Sequence, residues 1–271
     1  MPVLEVDEST LYYTVKGKGI PIIFIHPPVL TSINFIYQLE ELSRYFQVIT
    51  FDIRGHGRSP FSRKPVTYPL IVEDIKKLMD HLEIKQAFLC GYSAGASILL
   101  EFLLSTSKGR ALGGIIISGM PEVSDWRLKN RIRLAKNLAK IGALPTLARS
   151  VSNSNSNTKE LFDKMFLEAK KGDVRNISQY YDYILNYNIS DQLENITMPI
   201  SLIYGGKDKT FYHYAQQLHT KLPQNEITFV EGIKHQVPTK AASKLNQVIY
   251  QFIQNLPENR GEYDWMLNYF I

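Results

Sequence analysis

The central serine of the sequence GYSAG, at residues 91–95, lies between an apolar run typical of a strand and one typical of a helix. A serine on such a tight strand-to-helix turn is held in a strained conformation that exposes its hydroxyl, and the flanking glycines let the strand and the helix approach each other closely. The backbone N–H of Ala94, at the start of the helix, is placed to stabilise a developing oxyanion. The motif therefore predicts that Ser93 is a nucleophile in acyl transfer.

Two titratable side chains downstream could activate this serine. A serine hydroxyl is a poor nucleophile near neutral pH, so it needs a base, which in turn needs an acid that orients it. Asp208 and His235 each follow a predicted strand. Because the carboxyl ends of parallel strands meet at one edge of a sheet, both side chains are predicted to lie near Ser93. Glu122 and Asp125, which follow an earlier strand, are the alternative acids.

The elements that must position these residues are short apolar strands that alternate with amphipathic helices. Strands are predicted at 11–15, 22–25, 48–51, 87–90, 115–118, 200–204 and 226–230. Such alternation implies parallel strands, right-handed crossovers and helices on both faces of a sheet. The interval 119–199 is far longer than a crossover needs, so it must contain an inserted element.

The inserted interval has the pattern of a helical unit. Helices are predicted at 126–141, 159–171 and 174–187, with Thr158 and Asp173 as the caps of the second and third. The low-complexity run SNSNSN at 152–157 is predicted to be a flexible joint within this interval. An insertion at this position would cover the carboxyl ends of the strands, where α/β proteins bind ligands.

Several further motifs identify a resemblance. The strings DIRGHGRS at 52–59, MPI at 198–200, GGKD at 205–208 and GIKH at 232–235 accompany the serine turn. Over nearly its whole length apart from the last dozen residues, the chain resembles serine hydrolases of the α/β-hydrolase fold, in the esterase, lipase and haloperoxidase-like group. The resemblance implies an α/β fold with a mostly parallel, twisted sheet of about eight strands, helices on both faces and a helical cap inserted after strand 6.

The same resemblance implies roles and boundaries. Ser93 would be the nucleophile, His235 the general base and then acid, and Asp208 the acid that orients His235. Residues 1–120 and 196–257 would form the α/β-hydrolase core, 121–195 the helical cap, and 258–271 an aromatic C-terminal tail. Tyr92, Pro28 and Trp126 are expected to line the substrate pocket.

The sequence departs from that group at HPPV, residues 26–29. Relatives usually carry His-Gly-x here, and the N–H of x is the second oxyanion donor; the matching residue is Pro28, which has no N–H. Losing one such donor typically costs roughly 10²–10³ in rate. The N–H of Val29 or the hydroxyl of Thr31 could replace it, and a cis proline could re-aim the loop. The oxyanion hole is therefore expected to consist of Ala94 and Val29.

Charge and composition narrow the class of protein. The chain has 271 residues and a formal net charge of +5. Seven basic and no acidic residues fall in 127–149, so the rest of the chain is slightly acidic, which argues against a nucleic-acid-binding protein. The basic helix could touch anionic lipid or an acidic substrate, but a solvated face of the cap is favoured. The seven are Arg127, Lys129, Arg131, Arg133, Lys136, Lys140 and Arg149.

The setting expected from the sequence is the cytoplasm. The start, MPVLEVDEST, is acidic and lacks the features of a secretory signal, and no apolar run approaches membrane-spanning length. The single cysteine, Cys90, is expected to be a buried small hydrophobe. Neither a phosphate-binding loop nor a metal-ligand cluster is evident, so no cofactor or metal is expected. The aromatic tail is expected to pack on the body or on a second subunit in a homodimer.

The function that these features predict is hydrolysis of a small, partly hydrophobic ester or related acyl compound through a Ser-His-Asp triad and an acyl-enzyme. Two alternatives stay open at this level. The same triad supports carbon–carbon bond hydrolysis, lyase activity or perhydrolysis. A slow-turnover ligand sensor on the same fold is the second alternative, and Pro28 favours it.

Overall fold

A single sheet organises the structure, a computed structural model that describes residues 2–105 and 108–256. Its order is β1-β2-β4-β3-β5-β6-β7-β8, and all neighbours are parallel except that β2 is antiparallel to β1 and β4. The predicted sheet is confirmed, including its eight strands. The strands are β1 (Val3–Val6), β2 (Ser9–Lys16), β3 (Pro21–Ile25), β4 (Gln47–Phe51), β5 (Ala87–Tyr92), β6 (Ala111–Ile117), β7 (Ile200–Gly205) and β8 (Asn225–Val230).

Helices cover both faces of this sheet, and the helices between β6 and β7 lie over its carboxyl edge. They are α1 (Ile36–Leu42), α2 (Tyr68–His81), α3 (Ala94–Leu104), α4 (Trp126–Lys140), α5 (Leu144–Asn155), α6 (Lys159–Ala169), α7 (Val174–Asn186), α8 (Tyr212–Lys221), α9 (Val237–Lys240) and α10 (Ala242–Asn255). Alternate side chains of β3 enter opposite cores, Ile23 and Ile25 on the side of α2, α3 and α8, and Ile22 and Phe24 on the side of α1 and α10. In the described part of the chain, no helix is both long and apolar enough to cross a membrane.

The interval between β6 and β7 folds as a cap of four helices, α4 to α7. Helices α4 and α7 pack against each other through apolar side chains such as Ile132 and Ile177, which are buried. The predicted caps Thr158 and Asp173 accept hydrogen bonds from the N–H groups of Leu161 and Asn176 and are confirmed. The cap begins where the strands end, so its helices lie over the edge that ends in Ser93.

The low-complexity run at 152–157 is not the flexible joint that the sequence predicts, because most of it is helical. Its first four residues are the last turn of α5, a helix that the sequence pattern did not indicate. Ser152 is fully buried and Asn155 is 7% exposed, so tertiary packing overrides the weak helix propensity of serine and asparagine. The aromatic tail expected at 258–271 lies outside the described residues.

A buried amide fastens the cap to the body. Asn176, in the first turn of α7, accepts a hydrogen bond from the Ser62 N–H at 2.8 Å and donates one to the Ser62 carbonyl at 3.0 Å. The N–H of Asp173 also donates to the carbonyl of Gly55 at 2.8 Å. These bonds join the start of α7 to the loop after β4, which fixes the cap over the sheet edge.

Candidate active site

Ser93 occupies the turn between β5 and α3 in a backbone conformation that side chains rarely adopt, with φ 53° and ψ −121°. Its N–H donates to the carbonyl of Ile117 at 2.8 Å, which pins the turn to the end of β6. A Cβ on Gly95 would lie 2.1 Å from the carbonyl oxygen of Ile25, so only glycine lets α3 approach β3 this closely. The turn therefore presents the hydroxyl at the carboxyl edge of the sheet.

Asp208 and His235 converge on that hydroxyl. The Nε2 atom of His235 lies 3.0 Å from Ser93 Oγ, and its Nδ1 atom lies 2.8 Å from Asp208 Oδ2. The ring of Phe211 packs on the imidazole with centroids 4.2 Å apart. When Nδ1–H donates to the carboxylate, Nε2 is free to accept the serine proton, which is the arrangement that a general base requires. The structure thus brings together all three side chains that the sequence singled out.

Two loops at the ends of β7 and β8 hold Asp208 beside His235. The N–H of Gly206 donates to the Val230 carbonyl, and the N–H of Lys207 donates to the Ile233 carbonyl, both at 2.8 Å. The hydroxyl of Ser118, just after β6, donates to the His235 carbonyl at 3.3 Å. The two backbone bonds continue the pairing of β7 and β8 beyond the strands, so the loop that carries Asp208 is joined directly to the loop that carries His235.

Gly205, the last residue of β7, is where those loops come closest. A Cβ at this position would lie 1.9 Å from the carbonyl oxygen of Lys234, next to His235. We therefore expect Gly205→Ala to lower the free energy of unfolding by about 3 kcal/mol, since the backbone must separate to admit a methyl group. Urea unfolding measures this change. Gly109→Ala is the matched control, because a Cβ there has nothing within 4 Å, and an equal loss in both variants would contradict the close approach.

The loop after β3 is held by a buried histidine. His26 is fully buried; its Nε2 accepts a hydrogen bond from the Ile53 N–H at 2.9 Å, so Nδ1–H donates to the Pro27 carbonyl at 2.9 Å. Tyr180 from the cap donates to the His26 carbonyl at 3.2 Å. The prolines 27 and 28 follow trans peptide bonds, and Val29 has a φ of 70°. The neutral ring therefore fixes this loop through both of its nitrogens.

Burial makes this region sensitive to acid. Loss of hydration lowers the pKa of His26 from 6.5 to about 4, and the same loss together with the nearby His26 ring lowers that of His56 to about 3. The neutral forms favour folding, so their contribution is complete above pH 6.5 and is lost as the pH falls towards the folded-state pKa values. We expect the free energy of unfolding to fall by up to about 1.4 kcal/mol per pH unit per histidine below pH 6.5.

Urea midpoints at pH 7.5 and pH 5.0 measure that loss. His56→Gln should reduce the difference between the two midpoints, because one buried titrating group is gone. His219→Gln, at an exposed histidine on α8, should leave the difference as it is. A difference that His56→Gln does not reduce would show that other groups cause the acid sensitivity.

A cavity of about 250 Å³ lies between the sheet edge and the cap, and Ser93 lines it. Pro28 and Tyr92 line it, as expected, together with apolar side chains of α4, α5 and α7. The described lining residues are Pro27, Pro28, Leu30, Tyr92, Ser93, Ala94, Met120, Leu128, Arg131, Ile132, Ala135, Leu147, Val151, Asn155, Tyr181, Ile184, Asp208, Phe211, His235 and Gln236. The proposed nucleophile thus faces a small, largely apolar chamber.

Two residues expected at the site lie elsewhere. Trp126 is 66% exposed and does not line the cavity, because it projects from the face of α4 opposite the buried Leu128 and Ile132. Val29 does not line the cavity either; its side chain is buried in the core, while Pro28 and Leu30 on either side of it face the chamber. Thr31 Oγ1 accepts a hydrogen bond from the Ile33 N–H and caps a short helical turn.

Asn155 is a site residue that the sequence pattern missed. Its Oδ1 accepts a hydrogen bond from the Tyr92 hydroxyl at 3.0 Å, and its amide donates to the Val151 carbonyl at 2.9 Å. Burial, with the nearby Asp208 charge, raises the pKa of Tyr92, so the phenol stays a donor. The bond joins the residue before the serine to the cap helix α5. A repetitive polar segment gave no signal that one of its asparagines would be buried.

The alternative acids are engaged elsewhere. Asp125 caps α4, accepting a hydrogen bond from the Leu128 N–H at 2.7 Å. Glu122 accepts hydrogen bonds from Ser190 and Gln217. Asp208 is thus the carboxylate that contacts His235. In the described ranges, no group of three or more histidine, cysteine, aspartate or glutamate side chains is arranged to hold a metal ion.

Comparisons with known proteins agree with this architecture. The sequence model for the alpha/beta hydrolase fold matches residues 20–234. The AB hydrolase superfamily protein YisY of Bacillus subtilis is 25% identical over 266 residues, covering 91% of this chain and 96% of that protein. The non-heme haloperoxidase of Rhodococcus erythropolis is 27% identical over 274 residues, covering 94% of this chain and all of that protein.

Solved structures of other proteins have the same fold. An esterase from Exiguobacterium antarcticum superposes with a TM-score of 0.84 at 18% identity, covering 93% of this chain and 98% of that one. An identity this low is evidence for the fold alone, whereas the family match spans most of the chain. The protein is a hydrolase, and the chain belongs to the alpha/beta hydrolase fold family.

Proposed function

We propose that this protein is a serine hydrolase that cleaves a small, partly hydrophobic ester or related acyl compound. The observation that supports this most directly is the chain of hydrogen bonds from Asp208 through His235 to Ser93, with distances of 2.8 and 3.0 Å, in the wall of a largely apolar chamber. Nucleophile, base and orienting acid in this order are the groups that acyl transfer needs.

In the proposed reaction, Ser93 Oγ attacks the ester carbonyl while His235 Nε2 takes the hydroxyl proton. The Asp208 carboxylate stabilises the imidazolium that forms and keeps the ring in the required orientation. His235 then returns the proton to the departing alcohol, which leaves an acyl group on Ser93. Water, activated by the same imidazole, attacks that acyl group and regenerates the free serine.

The negative charge that develops on the carbonyl oxygen is stabilised by Ala94. This residue begins α3, and the first N–H groups of a helix have no acceptor within the helix. The N–H therefore points towards the position where an oxyanion would form, and the helix dipole adds to its effect. Pro28 faces the chamber from the opposite loop but has no N–H to add, so we propose a hole with one strong donor and slow turnover.

The chamber limits the size of the acyl compound. Its volume of about 250 Å³ lies just below the range of roughly 300–1,000 Å³ that is typical of small-molecule pockets. Its walls include Leu128, Ile132 and Leu147, whose apolar side chains favour a short hydrocarbon chain. A haloperoxidase is among the similar proteins, and perhydrolysis on the same triad is the alternative reaction.

A panel of p-nitrophenyl esters from acetate to octanoate tests the proposal. We expect kcat/KM to peak at the short chains that the chamber can hold, and a fluorophosphonate to label the protein at Ser93. Labelling without turnover of any ester would favour the second candidate, a ligand sensor with slow turnover, to which the missing Pro28 donor points. Absence of both labelling and turnover would remove the proposed nucleophile.

A further inference from the structure

One cation lies among the residues of the chamber wall. On α4, the residues that face the chamber are Leu128, Arg131, Ile132 and Ala135. Their spacing of three and four residues places them on one side of the helix. Arg131 is exposed, whereas Leu128 and Ile132 beside it are buried, so its guanidinium lies at the mouth of the chamber, where the apolar wall meets solvent.

Arg131 lacks a partner within the described residues, as do Lys129 and Lys140, but of these three only Arg131 lines the chamber. Several other cations of this region are paired. Lys136 forms an ion pair with Asp182, Lys171 pairs with Glu168, and Arg58 reaches the same Glu168 from the body. No carboxylate, carbonyl or aromatic ring in the described ranges makes a comparable contact with Arg131. Its five donors are therefore available to a molecule that enters the chamber.

The charges around the chamber favour an anion with one negative charge. Besides Arg131, the charged lining groups are Asp208 and His235, which are paired with each other. The phenols of Tyr92 and Tyr181 also line the chamber, and burial raises the pKa of both, so they stay neutral. The surrounding segment 127–149 is basic throughout and would draw an anion towards the mouth. A carboxylate matches the guanidinium fork in charge and geometry, whereas a phosphate monoester carries nearly twice the charge and would need further donors.

We propose that Arg131 binds a free carboxylate at the far end of the substrate, so that the preferred substrates are half-esters of short dicarboxylic acids. This inference rests on the proposed esterase function of Ser93 and specifies its substrate class. The ester end would enter the chamber towards Ser93, the hydrocarbon spacer would lie along Leu128 and Ile132, and the carboxylate would stay at the wet mouth. Such placement avoids burying a charge in the apolar chamber.

Kinetics with matched substrates test this specificity. The p-nitrophenyl half-esters of succinate, glutarate and adipate are compared with their methyl-capped neutral analogues of the same spacer length. We expect the wild type to prefer at least one half-ester tenfold or more in kcat/KM, mainly through KM, and expect added salt to reduce that preference. In Arg131→Gln, kcat/KM should fall at least tenfold more for the half-ester than for its capped analogue.

Arg133→Gln is the matched control, since Arg133 is an exposed arginine on the same helix that does not line the chamber. It removes the same charge and should leave the preference for the half-ester unchanged. An equal loss of preference in both variants would show a general field effect and overturn the role of Arg131. A wild type that prefers the capped esters would overturn the substrate class.

Binding separates this inference from the proposed function. Chemical-shift titration of the Ser93→Ala protein with monomethyl glutarate and dimethyl glutarate needs no turnover. The carboxylate site is supported if the monoanion binds more tightly than the neutral diester and Arg131→Gln abolishes this preference. This result would hold even if no ester is hydrolysed. Equal binding of the two compounds overturns it, even if neutral esters are hydrolysed and the esterase function stands. Inorganic phosphate, titrated in parallel, should bind more weakly than the monoanion; tighter binding would overturn the choice of carboxylate.

Discussion

Ser93→Ala is expected to lower kcat for p-nitrophenyl ester hydrolysis by about 10⁶-fold, the loss typical of removing the nucleophile of a complete triad. The hydroxyl is the group 3.0 Å from His235 Nε2, and no other described residue that lines the chamber is a serine, threonine, cysteine or lysine. The residual rate would come from substrate binding and the Ala94 N–H. Stopped or continuous release of p-nitrophenol measures the change.

Two comparisons make the result specific. Ser97→Ala changes another serine of α3, one that does not line the chamber and donates to the Met120 carbonyl, and it should keep kcat within a few-fold of wild type. Ser93→Ala combined with His235→Ala should cost little more than Ser93→Ala alone, since the two groups act as one unit. Hydrolysis that persists in Ser93→Ala at more than about a hundredth of the wild-type rate would contradict the nucleophile assignment.

The sequence predicts the parts of this site that depend on local structure. Ser93 could be found because the strained turn needs glycines at fixed positions and a strand and helix on either side. Asp208 and His235 could be found because each directly follows a strand, and the rules of parallel sheets place strand ends at one edge. The register of β7 on β8 then brings the two loops into contact.

The cap is where prediction from the sequence fails. Asn155 lies in a run of alternating serine and asparagine with weak helix propensity, and only contact with Tyr92 and the core reveals its burial. Trp126 is apolar enough to suggest a pocket residue, but its position around α4 turns it outward. Arg131 is one of seven basic residues in the segment 127–149, and only the direction of the helix face separates it from the rest. These outcomes depend on how helices pack, which short motifs do not encode.

Pro28→Gly is expected to raise kcat by about 10²-fold, with little change in KM. The substitution supplies a backbone N–H at a residue that lines the chamber opposite Ala94, where the present loop has none. A second oxyanion donor acts on the transition state and is worth roughly 10²–10³ in rate. It adds little to binding of the neutral ester, so kcat changes and KM does not. Steady-state kinetics with the best p-nitrophenyl ester measure both.

The neighbouring proline separates the donor from a change in loop stiffness. Pro27→Gly also removes a proline ring, and it adds a backbone N–H one residue earlier. Both variants should lower the free energy of unfolding by about 1 kcal/mol, because glycine raises the conformational entropy of the unfolded chain. If the gain comes from the oxyanion donor, only Pro28→Gly should show it; if it comes from a looser loop, both variants should. A Pro28→Gly enzyme no faster than wild type would mean that another group, such as the Val29 N–H, already reaches the oxyanion when substrate binds. Two observations argue against a role for the Val29 N–H: the Val29 side chain is buried, and Val29 does not line the chamber. To turn the Val29 peptide towards Ser93, the loop would have to break its hydrogen bond to His26.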